Sequence, residues 1–289
     1  MEVFRTREEL SRWTTERRLR DRVLVPTMGA LHRGHTSLFD RASDLAGETG
    51  EVLASIFVNP TQFGPNEDFD AYPRQLEQDL TQCERHGVTA VFAPGPGEMY
   101  LPDASISITE TKLSNHLCGA SRPGHFDGVC LVVAKLFLLT QPSAAVFGEK
   151  DFQQLAIIRR LVRDLNFPIK IIGAETVRES DGLAMSSRNT YLSPEDRKQA
   201  PVIQQTLAET AEAITSGSMK TPADALATMR SGIERARGAK IDYLAAVDAS
   251  TLEALSEFGS SPIRLLAAVY FGKTRLIDNV GVPLSPSES

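Results

Sequence analysis

Two histidines three residues apart, His32 and His35, stand in the segment PTMGALHRGH at residues 26–35. An apolar run, RVLVPT at 22–27, ends just before them, and a helical pattern starts near Gly34. A helix N-terminus presents backbone N–H groups without helical partners and the positive end of the helix dipole, which together favour phosphate. Gly34 lets the main chain come close to a ligand. Imidazoles held there can donate hydrogen bonds to phosphate oxygens that gain charge in a transition state. A bare H-x-G-H also fits a metal pair or incidental loop histidines. Its place between a strand and a helix favours nucleotide binding.

Further polar residues fall at similar boundaries. GEKD at 148–151 follows the apolar run AAVFG and opens a helical pattern, so Lys150 is placed as a point charge for phosphate. MSSRN at 185–189 offers two hydroxyls and Arg188, a set suited to clamping pyrophosphate. Taken alone, GEKD reads more readily as a solvated turn and MSSRN as a polar linker; their joint place at the rim of one sheet favours phosphate binding. In FVNPTQF at 57–63, Asn59 and Gln62 are neutral amides suited to the hydroxyls and carboxylate of a small polar substrate. Gln153 and Gln154 follow GEKD, and at least one is expected to face a ligand. A nucleophile–base arrangement is not evident: there is no G-x-S-x-G, no cysteine in a distinctive setting, no P-loop and no G-x-G-x-x-G. His86 and His116 read as surface residues of helical segments.

The elements that must position these groups alternate. Thr6 and Glu9 form a capping box for a helix to about Arg20. Apolar strands at 22–27, 51–58, 88–94, 144–148 and 169–177 are separated by helices at about 34–46, 74–87, 126–140 and 151–165. This is the pattern of a doubly wound, Rossmann-like α/β parallel sheet, whose ligands sit beyond the carboxyl ends of the strands. After Arg188 the pattern changes to helices at about 194–216 and 221–237, then strands 241–249, 262–272 and 274–280 with a hairpin at Gly272-Lys273. The expected organisation is a domain at 1–184 and a smaller C-terminal α+β domain at 185–289, with a fraying Ser/Pro-rich tail at 283–289.

Composition narrows the partners. The 289 residues are 42% hydrophobic and 24% charged, as in an ordinary globular protein. A formal net charge of −6 argues against nucleic acid as the main partner while leaving room for a small anion at a local cationic cluster. Three cysteines without C-x-x-C spacing argue against a disulfide framework, and the charged N-terminus has no signal-peptide core. No run approaches the roughly 20 apolar residues of a membrane span. A cytoplasmic location is expected.

Together, PTMGALHRGH, SIFVNPTQFGPNEDFDAYPR, CGASRPGHFDGV, VFGEKDFQQLAIIRRLVRDL and TVRESDGLAMSSRNTYLS resemble the pantothenate synthetase family of the H-x-G-H nucleotidyltransferase superfamily. The likeness spans about residues 22–195, in order and with similar spacing. It implies an ATP-dependent ligase that forms pantoyl adenylate from pantoate and then passes the pantoyl group to β-alanine. It assigns ATP contacts to Met28, Gly29, Ala30, Leu31, His32, Arg33, Gly34 and His35, with His35 as proton donor and His32 its partner. Gly148, Glu149, Lys150 and Asp151 resemble a second ATP segment and Val177 an adenine contact. Met185, Ser186, Ser187 and Arg188 resemble a phosphate clamp. Gln62 and Gln154 match pantoate contacts, Gln62 being shared with β-alanine. Mg²⁺ would travel with ATP, near Asp79, and a homodimer is implied. Arg33, Leu131 and Met185 depart from the family's usual residues. Arg33 stands where an acidic residue is usual, which bears on ATP affinity. Two other readings are a related nucleotidyltransferase acting on a phosphate acceptor and a non-catalytic nucleotide sensor. FVNPTQF and GEKDFQQ argue against the first, and the intact histidine pair against the second.

Overall fold

The computed structural model describes residues 1–64, 67 and 69–283; residues 284–289 of the tail expected to fray lie outside them, as do Pro65, Asn66 and Asp68. The chain forms two compact units, one of Met1–Glu149 with Ile157–Glu175, the other of Lys150–Ala156 with the chain from Thr176 onward. The division therefore falls at 175/176 rather than at the expected 184/185, and the segment after GEKD groups with the C-terminal chain.

The first unit is built on strands β1 (Glu2–Phe4), β2 (Arg22–Thr27), β3 (Glu51–Ile56), β4 (Ala90–Phe92), β5 (Ala144–Gly148) and β6 (Lys170–Ala174). They form one parallel sheet in the order β1-β4-β3-β2-β5-β6. Its helices are α1 (Arg7–Glu16), α2 (Arg33–Ala46), α3 (Leu76–Arg85), the short α4 (Pro96–Met99) and α5 (Cys118–Ser121), and α6 (His125–Thr140), while α7 (Phe152–Asp164) runs across the division. The capping box of α1 is present: Glu9 N donates to Thr6 Oγ1 at 3.2 Å and Thr6 N to the Glu9 carboxylate at 3.0 Å. Alternation along the strands feeds two faces. Val23, Val25, Val52, Ala54, Val91 and Val146 join Leu38, Phe39 and Cys83 in one core beneath α2 and α3. The intervening Leu24 and Leu53, both fully buried, point to the opposite face. The strand β1 escapes a reading of the sequence because it is three residues long and buries only Phe4.

The strand order decides where chemistry can sit. From β2 the chain builds outward through β3 and β4, then returns to place β5 on the other flank of β2. The carboxyl ends of β2 and β5 are thus neighbours at a topological switch point, where open α/β sheets bind ligands. Those ends carry the PTMGALHRGH loop and Gly148.

The second unit contains α8 (Pro194–Gln199), α9 (Val202–Thr215) and α10 (Pro222–Glu234), then β7 (Ala239–Asp248), β8 (Ile263–Phe271) and β9 (Thr274–Val282) in an antiparallel sheet. The one helix expected at 194–216 is two, because Pro201 has no N–H to continue the ladder of α8 and instead caps α9. The hairpin expected at Gly272-Lys273 joins β8 and β9, with Gly272 at φ +58°.

At the start of β2 a charge is buried. Arg22, 2% exposed, donates to Glu51 Oε2 at 3.0 Å and to Thr140 O at 2.6 Å, and its guanidinium lies 4.4 Å from the Trp13 ring centroid. Removing one partner of such a pair strands the other charge out of water. Glu51→Ala is expected to cost about 3–5 kcal/mol of stability by urea denaturation, and Glu51→Leu with Arg22→Met to recover most of it.

Candidate active site

The loop between β2 and α2 is held by a carboxylate from α3. Asp79, 1% exposed, accepts Ala30 N at Oδ2 (3.0 Å) and Leu31 N at Oδ1 (2.8 Å). Both residues before α2 therefore have fixed amide directions, and Ala30 itself takes φ +50°. Gly29 sits at φ +83°, where a Cβ would meet Asp79 Oδ2 at 2.8 Å and Ile56 Cγ2 at 3.1 Å. Only glycine fits that approach. The family resemblance placed Asp79 beside Mg²⁺. In the structure each of its two oxygens accepts a main-chain amide, so Asp79 holds the loop. Among the described residues no group of three or more His, Cys, Asp and Glu could hold a metal ion.

The spacing of the histidines has a structural reason. His32 is the N-cap of α2 and His35 is its N3 residue, the two positions of a capping box. Gly34 N donates to His32 Nδ1 at 3.1 Å, and His32 N donates to His35 Nδ1 at 3.3 Å. A ring nitrogen that accepts a main-chain N–H carries no proton, so the neutral form of each ring bears its proton on Nε2. The rings lie 4.1 Å apart between centroids. The pair is thus a reciprocal cap that leaves both imidazoles defined as Nε2–H donors at a helix N-terminus. Met28 and Arg33 flank this turn, with Arg33 as the first residue of α2.

Beyond β3, Asn59 caps the 3-10 turn Pro60–Gln62. Its Nδ2 donates to Gln62 Oε1 (3.0 Å) and Gly128 O (3.2 Å), and its Oδ1 accepts from Thr61 N (3.3 Å), Thr61 Oγ1 (2.9 Å) and Tyr100 OH (2.8 Å). Two donor hydrogens and a carbonyl oxygen are fully used, so Asn59 has no capacity for the substrate contact expected of it. It orients Gln62 instead: with Oε1 accepting from Asn59, the Nε2 amide of Gln62 is the end set to donate. Gly128 of α6 makes this possible, since a Cβ there would lie 2.3 Å from Thr61 O.

Arg122 and His125, both in the CGASRPGHFDGV stretch, brace the same turn. His125 Nδ1 donates to Gln62 O at 2.8 Å and Arg122 Nη1 meets His125 Nε2 at 3.1 Å. That arrangement is consistent only with a neutral His125 protonated on Nδ1. Arg122 also donates to Gln62 O (3.2 Å) and grips Glu67 through Nε (2.7 Å) and Nη2 (2.5 Å). Burial alone would push Glu67 up, but the Arg122 guanidinium holds its carboxyl below the usual carboxylate range. Glu67 gives no sequence signal, because nothing local marks it as the partner of a residue 55 positions away.

Lys150 and Asp151, the first residues of the second unit in this stretch, close the 3-10 turn Glu149–Asp151 that follows Gly148, and the Lys150 ammonium is 3.9 Å from Asp151. On α7, Gln153 is buried and Gln154 half-buried. The chain then doubles back: Met185 N donates to Val177 O at 2.9 Å, Arg178 and Ala184 pair, and Gly182 turns at φ +92°. Ser186 caps the 3-10 turn Ser187–Tyr191 by accepting from Arg188 N at 3.2 Å, and Met185, Ser186, Ser187 and Arg188 are all half-buried. The 185–191 segment thus has a defined turn rather than an open linker. Cys83, Cys118 and Cys130 are buried and outside any disulfide, and burial pushes Cys83 and Cys130 up to about 12, which removes them as nucleophiles.

Asp79→Asn keeps one acceptor and turns an NH₂ group onto a main-chain amide. The expected result is about 1–3 kcal/mol of lost stability and a raised KM for ATP, read by urea denaturation and steady-state kinetics. Added Mg²⁺ should not restore that variant, whereas restoration would return Asp79 to the metal.

The family model described as pantoate-beta-alanine ligase matches residues 2–281. A pantothenate synthetase from Akkermansia muciniphila is 54% identical over 258 residues, covering 89% of this chain and 91% of its own. One from Thermotoga petrophila is 48% identical over 281 residues, covering 96% and 99%. Among solved structures, a pantothenate synthetase from Thermus thermophilus superposes with a TM-score of 0.92 at 46% identity, covering 98% of this chain and 100% of that one. The pantoate-beta-alanine ligase from Francisella tularensis, solved with beta-gamma ATP and beta-alanine, gives 0.79 at 34%, covering 99% and 100%. With a family match over nearly the whole chain and a fold shared at 46% identity, the chain belongs to the pantoate-beta-alanine ligase family.

Proposed function

We propose that this chain condenses pantoate with β-alanine at the expense of ATP, through pantoyl adenylate. The observation that carries this reading is the histidine cap at the switch point of the sheet, two fixed Nε2–H donors on a helix N-terminus. The family membership and the ligands of the Francisella structure support ATP and β-alanine as the substrates.

In the first step a pantoate carboxylate oxygen attacks the α-phosphorus of ATP, and the bond to the bridging oxygen breaks to release pyrophosphate. His35 and His32 donate to phosphate oxygens as their charge rises, and His35 supplies the proton-donating contact to the departing group. Lys150 and Arg188 carry positive charge for the phosphates, Arg188 as a fork and Lys150 as a point charge. The backbone of Met28, Gly29, Ala30, Leu31, Arg33 and Gly34, and that of Gly148, Glu149 and Asp151, lines the nucleotide. Val177 packs on adenine, and Met185, Ser186 and Ser187 complete the clamp. Mg²⁺ enters with ATP as part of the substrate, keeping most of its coordination as water and phosphate oxygen.

In the second step the β-alanine nitrogen attacks the acyl carbon, AMP leaves with the electron pair of the acyl–oxygen bond, and the nitrogen loses a proton. Gln62 and Gln154 hold pantoate through both steps, with Gln62 also meeting β-alanine. Direct transfer between substrates fits a chain whose three thiols are buried. Rate enhancement then rests on positioning and charge stabilisation. We further propose a homodimer working in the cytoplasm. The structure itself contributes that no helix among the described residues is long and apolar enough to cross a membrane.

The test is release of pyrophosphate and AMP from ATP, Mg²⁺ and pantoate, with and without β-alanine. Sustained release of both, with pantothenate formed, is expected only when all substrates are present. Turnover that ignores pantoate would point to a related nucleotidyltransferase. His35→Ala and Lys150→Ala are each expected to cost about 2–4 kcal/mol of transition-state stabilisation, with the melting temperature unchanged in Lys150→Ala and lowered in His35→Ala, which also loses about 0.5–2 kcal/mol of helix capping. Near-normal turnover in both variants would remove the assigned roles.

A further inference from the structure

The last strand of the chain touches the GEKD segment through its main chain. Asn279 of β9, 3% exposed, donates from Nδ2 to Lys150 O at 2.9 Å. Its Oδ1 accepts from Arg264 Nε of β8 at 2.6 Å. Because the oxygen is committed to Arg264, the amide cannot flip, and its NH₂ end is aimed at the Lys150 carbonyl. Arg264 is fixed in turn, its guanidinium 4.1 Å from the ring centroid of Phe152, two residues beyond Lys150. Gly281 faces Arg264 across the β8–β9 ladder, and a Cβ there would stand 3.0 Å from Arg264 Nη1. The glycine leaves the room the guanidinium occupies.

The neighbouring residue does comparable work. Asp278, 4% exposed, takes a two-pronged ion pair from Arg178, at 2.6 and 3.0 Å, and Arg178 also donates to Gly182 O at 3.0 Å. Arg178 adjoins Val177 and pairs with Ala184, so the strand position next to Asn279 anchors the 177–185 turn. Adjacent residues of β9 thus hold two segments assigned to ATP, one through the Lys150 carbonyl and the other through the Arg178 side chain.

We propose that Asn279, oriented by Arg264, is a positioning residue for Lys150 in the adenylation step. The proposal rests on the phosphate role given to Lys150 above. Lys150 has a long, flexible stem, and a cation of that kind acts on a phosphate only as well as its Cα is placed. Tying the residue's own carbonyl to a buried amide fixes the root of the side chain while leaving its ammonium for the ligand. Ångström-scale misplacement of such a group costs catalysis heavily.

The test is a cycle of Lys150→Ala and Asn279→Asp. Aspartate keeps the acceptor for Arg264 and removes the donor to Lys150 O. Asn279→Asp should lower kcat/KM for ATP about 10–100-fold and leave the KM for β-alanine unchanged. In the Lys150→Ala background the same change should cost nothing further, because its effect runs through Lys150. Should a second carboxylate beside Asp278 prevent folding, Arg264→Gln carries the test, with a smaller loss in the same direction that Lys150→Ala again absorbs. Losses that multiply in the double variants would overturn the proposal, as would normal ATP kinetics in both single variants. If Lys150→Ala alone turns over normally, the phosphate role of Lys150 fails first, and that result is visible before any double variant is made.

Discussion

A carboxylate taken out of water is costly unless fixed donors replace its hydration, and Asp79 is surrounded by such donors. Its two oxygens face the amides of Ala30 and Leu31, with Gly29 threaded past at a distance no side chain would tolerate. The entry angle of α2 follows from this clasp, because the residues it holds lead directly into the N-cap. Once α2 starts at His32, the two imidazoles fall into reciprocal capping positions and their tautomers are settled by main-chain donors. The orientation and tautomer of both imidazoles are therefore set by main-chain amides and by a carboxylate from a different helix.

The same division of labour recurs around Gln62. Asn59 and His125 are polar, central to the motif and committed to protein partners. Asn59 spends all its capacity on Gln62, Gly128, Thr61 and Tyr100. His125 and Arg122 hold the carbonyl of Gln62, and Glu67 steadies Arg122. What emerges is one glutamine whose amide end is aimed by its neighbours. A neutral donor of fixed direction suits a carboxylate that must stay nucleophilic, since a buried cation there would hold the charge too tightly to let it attack.

Much of this is legible in the sequence because it is local. The H-x-G-H spacing is that of a capping box, and the strand before it and helix after it follow from periodicity. Strands β2 and β5 have the boundaries that their apolar runs mark. What the sequence does not convey are the partners of polar side chains distant along the chain. Asp79 reaches back 48 and 49 residues to the loop it holds, and nothing in its helix distinguishes a carboxylate facing amides from one facing a metal. Asn59 looks like a substrate contact because an amide after a strand has the same appearance whether its partners are ligand or protein. Asn279 lies 129 residues from the Lys150 carbonyl, in a strand that reads simply as the last of a hairpin. The boundary near 175 is displaced to 184 for a related reason: the turn at 177–185 looks local, while its anchor, Asp278, is not.

The most direct measurement follows an oxygen atom. Pantoate labelled with ¹⁸O in its carboxylate is turned over with ATP, Mg²⁺ and β-alanine, and the AMP and pyrophosphate are weighed by mass spectrometry. Attack of the carboxylate on the α-phosphorus predicts that each AMP carries one labelled oxygen and pyrophosphate carries none. Label in pyrophosphate or inorganic phosphate, with AMP unlabelled, would contradict the adenylate route.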